Sequence, residues 1–289
     1  MIPYFIQPSV SIGPLTIHAF GVIVAVAAFT GLTIGARRFR RLGLDRALGE
    51  RLAMWAVISG FLGAHLFSVL FYFPREVAEH PLALLKLWEN ISSFGGMLGG
   101  MIGIWLFFRF RAKSIDAATR LIYFDVAAFA FSISLMIGRI ACALAHDHPG
   151  TVTRFPLAIS LRTAEARDYI TSVYADAGRP AELPPAQTLA QYGFHDLGLY
   201  EFVYLAAVAV PVMLLLSRRA RAPGFFVRTF ILLYLPVRFA LDFLRVADAR
   251  YAGLTPAQWV ALATLLGLAT IVAYTRRTSQ LRRYAEEGA

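Results

Sequence analysis

Five stretches of this chain, residues 1–36, 52–74, 90–108, 202–217 and 251–275, contain no lysine, arginine, aspartate or glutamate. A helix needs about 20 mostly apolar residues to cross a bilayer, and several of these runs reach that length. A water-soluble fold would have to wrap every one of them in a further layer of protein. With 58% of its 289 residues hydrophobic and only 16% charged, the chain lacks the polar surface for such a layer. It reads as an integral membrane protein whose helices share one bundle.

The pattern predicts seven spans, at about 15–36, 52–73, 94–110, 119–145, 199–217, 226–245 and 256–275. Between spans 1 and 2 fall Arg37, Arg38, Arg40, Arg41, Arg46 and Arg51; between 3 and 4, Arg109, Arg111, Lys113 and Arg120. Arg218, Arg219, Arg221 and Arg228 lie between 5 and 6, and Arg276, Arg277, Arg282 and Arg283 follow span 7. Seven spans put these 18 of the 28 basic residues on one side of the membrane. Such loops are cytoplasmic by the positive-inside rule, so the N-terminus is expected outside and the C-terminus in the cytoplasm. The net charge of +10 then anchors the topology against anionic lipid and does not call for nucleic acid. Residues 1–12, with Pro3, Pro8 and no basic segment, read as a short surface stretch and not as a removable signal.

The expected architecture is an all-α polytopic membrane protein, one domain over 1–289. On the outer face lie the excursions 74–93 and 146–198. The second, with Pro180, Pro184 and Pro185 and short strands predicted around 151–162 and 168–174, is long enough for a small external subdomain after the fourth helix. The single cysteine, Cys142, excludes an intramolecular disulfide, and its place in a helix points to packing.

Residues that hydrocarbon excludes gather toward the outer half of the membrane. Span 4 carries Arg139 and ends in His146, Asp147 and His148. Span 5 is entered through His195 and Asp196, then Tyr200 and Glu201. Span 6 carries Arg238, Asp242 and Arg245 at i, i+4 and i+7, one helix face, where Arg238 can pair with Asp242 and leave Arg245 near the rim. Such a set serves either to cross-link helices or to bind a ligand. Its arginines exceed what cross-linking needs, and guanidinium groups beside a headgroup layer suit a phosphate. His146, His148 and His195 with Asp147 and Asp196 are also zinc donors by type. The run His146-Asp147-His148 lacks the helical spacing of familiar zinc sites, so neither metal nor cofactor is expected.

Gly60, Gly63, Gly95, Gly96, Gly99, Gly100 and Gly103 mark spans 2 and 3 for close contact. Gly95 and Gly96, at the outer start of span 3, are also placed to turn bare backbone N–H groups to an anion. Asp125, near the start of span 4, suits a helix N-terminus and reads as structural.

These segments together resemble the prolipoprotein diacylglyceryl transferase family over nearly the full length. Ile17-His18-Ala19-Phe20-Gly21 resembles its first-helix segment, with phenylalanine in place of tyrosine. Gly60 to Leu66, continued to Phe71-Tyr72, is similar to the second-helix motif. Ser93-Phe94-Gly95-Gly96 resembles the Ser-Phe-His-Gly-Gly region without its histidine. Gly138-Arg139-Ile140 opens the family signature, whose later acidic residue falls at Asp147. The signature's two asparagines fall at Cys142 and Ala145, and its glycine at His146. His195 through Tyr200-Glu201 resembles a His-Pro-…-Leu-Tyr-Glu element with Asp196 for proline. Arg238-Phe239 through Asp242-Phe243 to Arg245 is similar to an Arg-Phe-…-Glu-Phe-…-Arg segment with aspartate for glutamate.

The resemblance implies transfer of the diacylglyceryl group of phosphatidylglycerol, a membrane phospholipid, to the lipobox cysteine of a lipoprotein precursor. It also implies a multi-pass protein of the bacterial cytoplasmic (inner) membrane. A thiol with a pKa near 8.5 must lose its proton to attack, and the departing phosphate must be held. The expected roles follow. Arg139 and Arg245 grip phosphate and Arg238 pairs with Asp242. His146, or failing that His148, is the base; Asp147 and Glu201 orient base or headgroup, Tyr200 donates a hydrogen bond and His195 supports the site. The rival classes are a phospholipid-dependent transferase with another acceptor and a non-catalytic lipid-binding protein.

Overall fold

Among the described residues, six helices are long and apolar enough to cross a membrane: Ala19–Arg41, Arg46–Phe71, Ser93–Phe110, Ala117–Ala145, Leu197–Leu216 and Pro256–Tyr274. They belong to a computed structural model that describes residues 1–13, 15–86 and 92–287, less the side chains of Ile12, Leu15, Arg75, Glu76, Ala83 and 275–287. Arg276, Arg277, Arg282 and Arg283, and residues 87–91 of the 74–93 excursion, therefore fall outside the described side chains. In the place of the predicted sixth span stands a shorter helix, Phe225–Leu241. It has 17 residues, contains Arg228, Pro236 and Arg238, and runs on through one tight turn, Asp242–Leu244. The architecture is mostly helical and polytopic. Its outer faces carry large apolar groups, Phe29 at 72% and Ile271 at 62% exposure, which suit lipid and not water.

Polar caps set several of the boundaries. Asp45 accepts from the Ala47 and Leu48 N–H groups at the start of Arg46–Phe71, and Asp116 from Thr119 at the start of Ala117–Ala145. Asp125, in contrast, serves a different helix from its own. Its oxygens accept from the N–H groups of Gly224 at 2.8 Å and Val227 at 3.0 Å, closing the N-terminus of Phe225–Leu241. The long-range pairing satisfies N–H groups that have no partner within their own helix.

The first helix begins at Ala19, four residues later than the predicted start. Leu15–His18 instead pairs antiparallel with Ser9–Ile12, Val10 opposite Ile17. The β-branched Val10, Thr16 and Ile17 suit that hairpin. Residues 1–12 are also more than a surface stretch, because Ile2 joins Ile159 in a parallel bridge.

In the insertion, Gly193–Asp196 is the middle strand of three, flanked by Pro149–Thr153 and Ile159–Ser160. The strand predicted at 168–174 is part of a helix, Ala164–Asp176. Tyr169, Ile170, Thr171 and Val173 favour a strand by composition, but Thr163 caps the Ala166 N–H, and Ala166, Ile170 and Tyr174 are buried at helical spacing. Together with Phe194, Leu161 and Val246 they form one buried apolar cluster.

The glycine stripe joins Arg46–Phe71 to Ser93–Phe110. A Cβ on Gly63 would stand 2.7 Å from Gly99 Cα, and one on Gly99 would stand 2.5 Å from the Ser59 carbonyl oxygen. Only bare backbones approach so closely.

Candidate active site

The polar site forms where Ala117–Ala145 ends beside the start of Leu197–Leu216. His146 takes a left-handed conformation, φ 51° and ψ 30°, and turns the chain into Pro149–Thr153. A residue with a Cβ bears a cost of roughly 1–2 kcal/mol there. The strand then places Pro149 opposite Asp196, whose carboxylate caps the next helix through Leu199 N–H at 2.9 Å. Gly198 lets that helix close on its neighbour, since a Cβ there would lie 2.9 Å from Cys142 Cβ.

Below this corner lies a buried ion network. Glu201 is paired through Oε2 with Arg139 Nε at 2.8 Å and through Oε1 with Arg238 Nη1. Tyr234 donates to Glu201 Oε2 at 2.7 Å and accepts from Arg139 Nη2 at 3.2 Å. Arg238 Nη2 also meets Asp242 Oδ1 at 2.9 Å, while Thr255 donates to Asp242 Oδ2 at 2.8 Å. Arg245 lies past the helix end, so it does not share a continuous helix face with Arg238 and Asp242. It pairs with Asp248 at 2.8 Å, and its Nη2 stands 3.1 Å from His148 Nδ1. Arg139, Arg238 and Arg245 thus each have a carboxylate partner. Glu201 faces Arg139, Arg238 and Tyr234.

Asp147 links this network to the corner above, feeling Arg139 and Arg245 on one side and Asp196 on the other. Desolvation by the surrounding protein pushes its carboxyl, whose side chain is still 34% exposed, up to about 6, partly opposed by the two arginines. His148, at 2.7 Å from the Asp147 carbonyl, is held well below the usual imidazole range by burial and by Arg245, Arg139 and Arg238. Cys142, Asp147 and His148 bring a thiol, a carboxylate and an imidazole within 4.8 Å of one another. Two of these donors already face guanidinium groups: Arg139 lies 3.5 Å from Cys142 Sγ, and Arg245 contacts His148. The repulsion disfavours a cation there.

His146 points the other way. Its Nδ1 lies 2.6 Å from Asp196 Oδ2, its ring stacks on Tyr4 at 5.0 Å, and Tyr169 donates to its carbonyl. His195 hydrogen-bonds Tyr200 at 2.9 Å, and burial lowers its pKa. The N–H groups of Gly95 and Gly96 are both directed to Ser92 at the start of their own helix. The Gly95 N–H donates to Ser92 Oγ at 3.2 Å and that of Gly96 to the Ser92 carbonyl at 2.9 Å. A Cβ on Gly95 would collide with Phe67.

Tyr234, Tyr4, Tyr169 and Asp248 were not anticipated from the sequence as site residues. For Tyr234 a signal exists, because it precedes Arg238 by one helical turn. Tyr234 also lines an apolar cavity of about 380 Å³, with Phe131, Phe230, Met97, Gly60 and Gly96 among its walls. A greasy chamber therefore meets the arginine–glutamate network at one tyrosine.

The chain matches the family model for prolipoprotein diacylglyceryl transferase over residues 7–274. It is similar to the phosphatidylglycerol–prolipoprotein diacylglyceryl transferase of Neisseria meningitidis serogroup C, with 31% identity covering 94% of this chain and 96% of that one. The enzymes of the same name from Chromohalobacter salexigens and Cupriavidus pinatubonensis are 29% and 28% identical. Those alignments cover 89% and 99% of this chain, and 85% and 99% of the relatives. Motif order, helical architecture and full-length similarity agree, and the chain belongs to the prolipoprotein diacylglyceryl transferase family.

Proposed function

We propose that this chain transfers the diacylglyceryl group of phosphatidylglycerol to the lipobox cysteine thiol of a preprolipoprotein. The site lies at the outer face of a bacterial cytoplasmic membrane that the chain crosses seven times, N-terminus outside, with Phe225–Leu241 as the sixth crossing and 146–198 as an external insertion. Family membership supports the reaction, and the meeting of an apolar cavity with the Arg139–Glu201–Arg238 network at Tyr234 is the observation that carries it. Acyl chains need the first surface and a headgroup the second; the cavity also falls in the ~300–1,000 Å³ range of ordinary ligand sites.

In the reaction the thiol proton passes to a base, and sulfur forms a bond to the terminal glyceryl carbon. The bond from that carbon to the phosphate ester oxygen breaks, and its electron pair leaves with glycerol phosphate, which takes up a proton. Arg245, at the rim, exchanges Asp248 for phosphate. Arg139, braced by Glu201, adds positive potential from beneath, and Arg238, braced by Glu201 and Asp242, keeps that network in register. Tyr200 donates a hydrogen bond to the headgroup, supported by His195. His146 is the base, and Asp147 with His148 lines the path between base and arginines.

Proteoliposomes containing the chain, phosphatidylglycerol labelled in its headgroup glycerol and a lipobox peptide should release labelled glycerol phosphate. A peptide with serine for the cysteine should release none. Equal release with both peptides, or with neither, overturns the proposal.

A further inference from the structure

We infer that Asp196 positions His146 for proton abstraction, acting through the imidazole without touching substrate. The inference rests on the assignment of His146 as base.

The two oxygens of Asp196 have separate tasks. Oδ1 accepts from the Leu199 N–H at 2.9 Å, and Oδ2 lies 2.6 Å from His146 Nδ1, with the Asp196 side chain wholly buried. A carboxylate oxygen accepts, so the proton is assigned to Nδ1 and the lone pair to Nε2. Nε2 is buried with no hydrogen-bond partner, in a side chain that is 3% exposed. The rings of Tyr4, Phe5 and Phe194 pack on the imidazole, with centroids at 5.0, 4.7 and 5.8 Å from its own.

The backbone points the same way. His146 sits at φ 51°, where glycine is at no disadvantage. A turn into the following strand needs no imidazole, and a strained residue held by its surroundings is a mark of function. When the substrate thiol gives its proton to Nε2, the imidazolium forms against the Asp196 carboxylate, which stabilises it. The other titratable groups facing this ring or its backbone are Tyr4 from the N-terminal segment, Tyr169 from Ala164–Asp176 and the neighbouring Asp147.

Asp196→Asn separates the two tasks. An amide has one acceptor oxygen, so keeping the helix cap turns its NH₂ to Nδ1 and forces the proton onto Nε2. Asparagine is as good an N-cap as aspartate, which protects folding. Transfer should be measured against pH in proteoliposomes of phosphatidylglycerol with a lipobox peptide, for the wild type, Asp196→Asn, His146→Gly and the double variant. His146→Gly also relieves the turn. Asp196→Asn should lower kcat roughly 100-fold or more with KM changed less than about threefold. Its acid limb should move to lower pH, because the neighbouring negative charge is gone. The double variant should be no slower than His146→Gly alone. A wild-type profile for Asp196→Asn overturns the inference, as does a slower enzyme with an unmoved acid limb and additive losses. Wild-type transfer by His146→Gly removes the underlying assignment of the base, and the inference with it.

Discussion

Arg139 and Glu201, on two different helices, form an ion pair at 2.8 Å with side chains 2% and 1% exposed. Glu201 is shared with Arg238, so removing it leaves two guanidinium groups with one fewer counter-charge. Losing one partner of a buried pair costs about 3–5 kcal/mol. Glu201→Gln should therefore lower the unfolding midpoint in detergent sharply, and Arg139→Leu with Glu201→Leu should recover part of the loss. A midpoint unchanged in Glu201→Gln would mean that the network is not what ties these helices together.

The second prediction concerns the glycine stripe. Gly99→Val forces a branched side chain against the Ser59 carbonyl and the Gly63 backbone. Overpacking of this kind costs about 1–3 kcal/mol. Thermal unfolding should show it, whereas Gly21→Ala, where nothing lies within 4 Å of an added Cβ, should leave the midpoint near wild type. Equal midpoints for the two variants would contradict the close helix contact.

Asp125→Ala removes the acceptor of both the Gly224 and the Val227 N–H groups. Leaving a buried donor unpaired costs about 1–3 kcal/mol. Asp125→Asn keeps one acceptor and should fall between the wild type and the alanine variant. Hydrogen exchange at the start of Phe225–Leu241 should quicken in that order, and no change there would contradict the cap.

Asp147 gives a pH-dependent signature. Its folded carboxyl titrates at about 6 against an ordinary 3.8, so the folded state binds the proton more tightly. The penalty of ionising it in place is absent below about 3.8 and fully present above about 6. Asp147→Asn should consequently melt above the wild type at pH 8, with the gap closing as the pH falls toward 4. The same gap at both pH values would rule out the raised carboxyl.

What could be read in the sequence and what could not divides along range. The apolar runs mark the long helices because burial in lipid depends on each segment alone, and the spacing of Arg238 and Asp242 places them one turn apart. The pairing of Arg139 with Glu201 depends on how two helices dock, which spacing along the chain does not encode. The Asp196–His146 contact likewise needs the strand register that sets Pro149 opposite Asp196. The 168–174 segment misled through β-branched composition, although Ala166, Ile170 and Tyr174 carried the helical period. The spacing of Arg245 implies a continued helix, but the helix stops at Leu241, and the residue reaches Asp248 and His148 instead.

The most direct measurement is the mass of a lipobox peptide after incubation with this chain in phosphatidylglycerol vesicles. The account predicts a gain of one diacylglyceryl group on the cysteine sulfur, abolished when the thiol is alkylated beforehand. Phospholipid bound by the protein with the peptide mass unchanged, or a gain at a site other than sulfur, would contradict it.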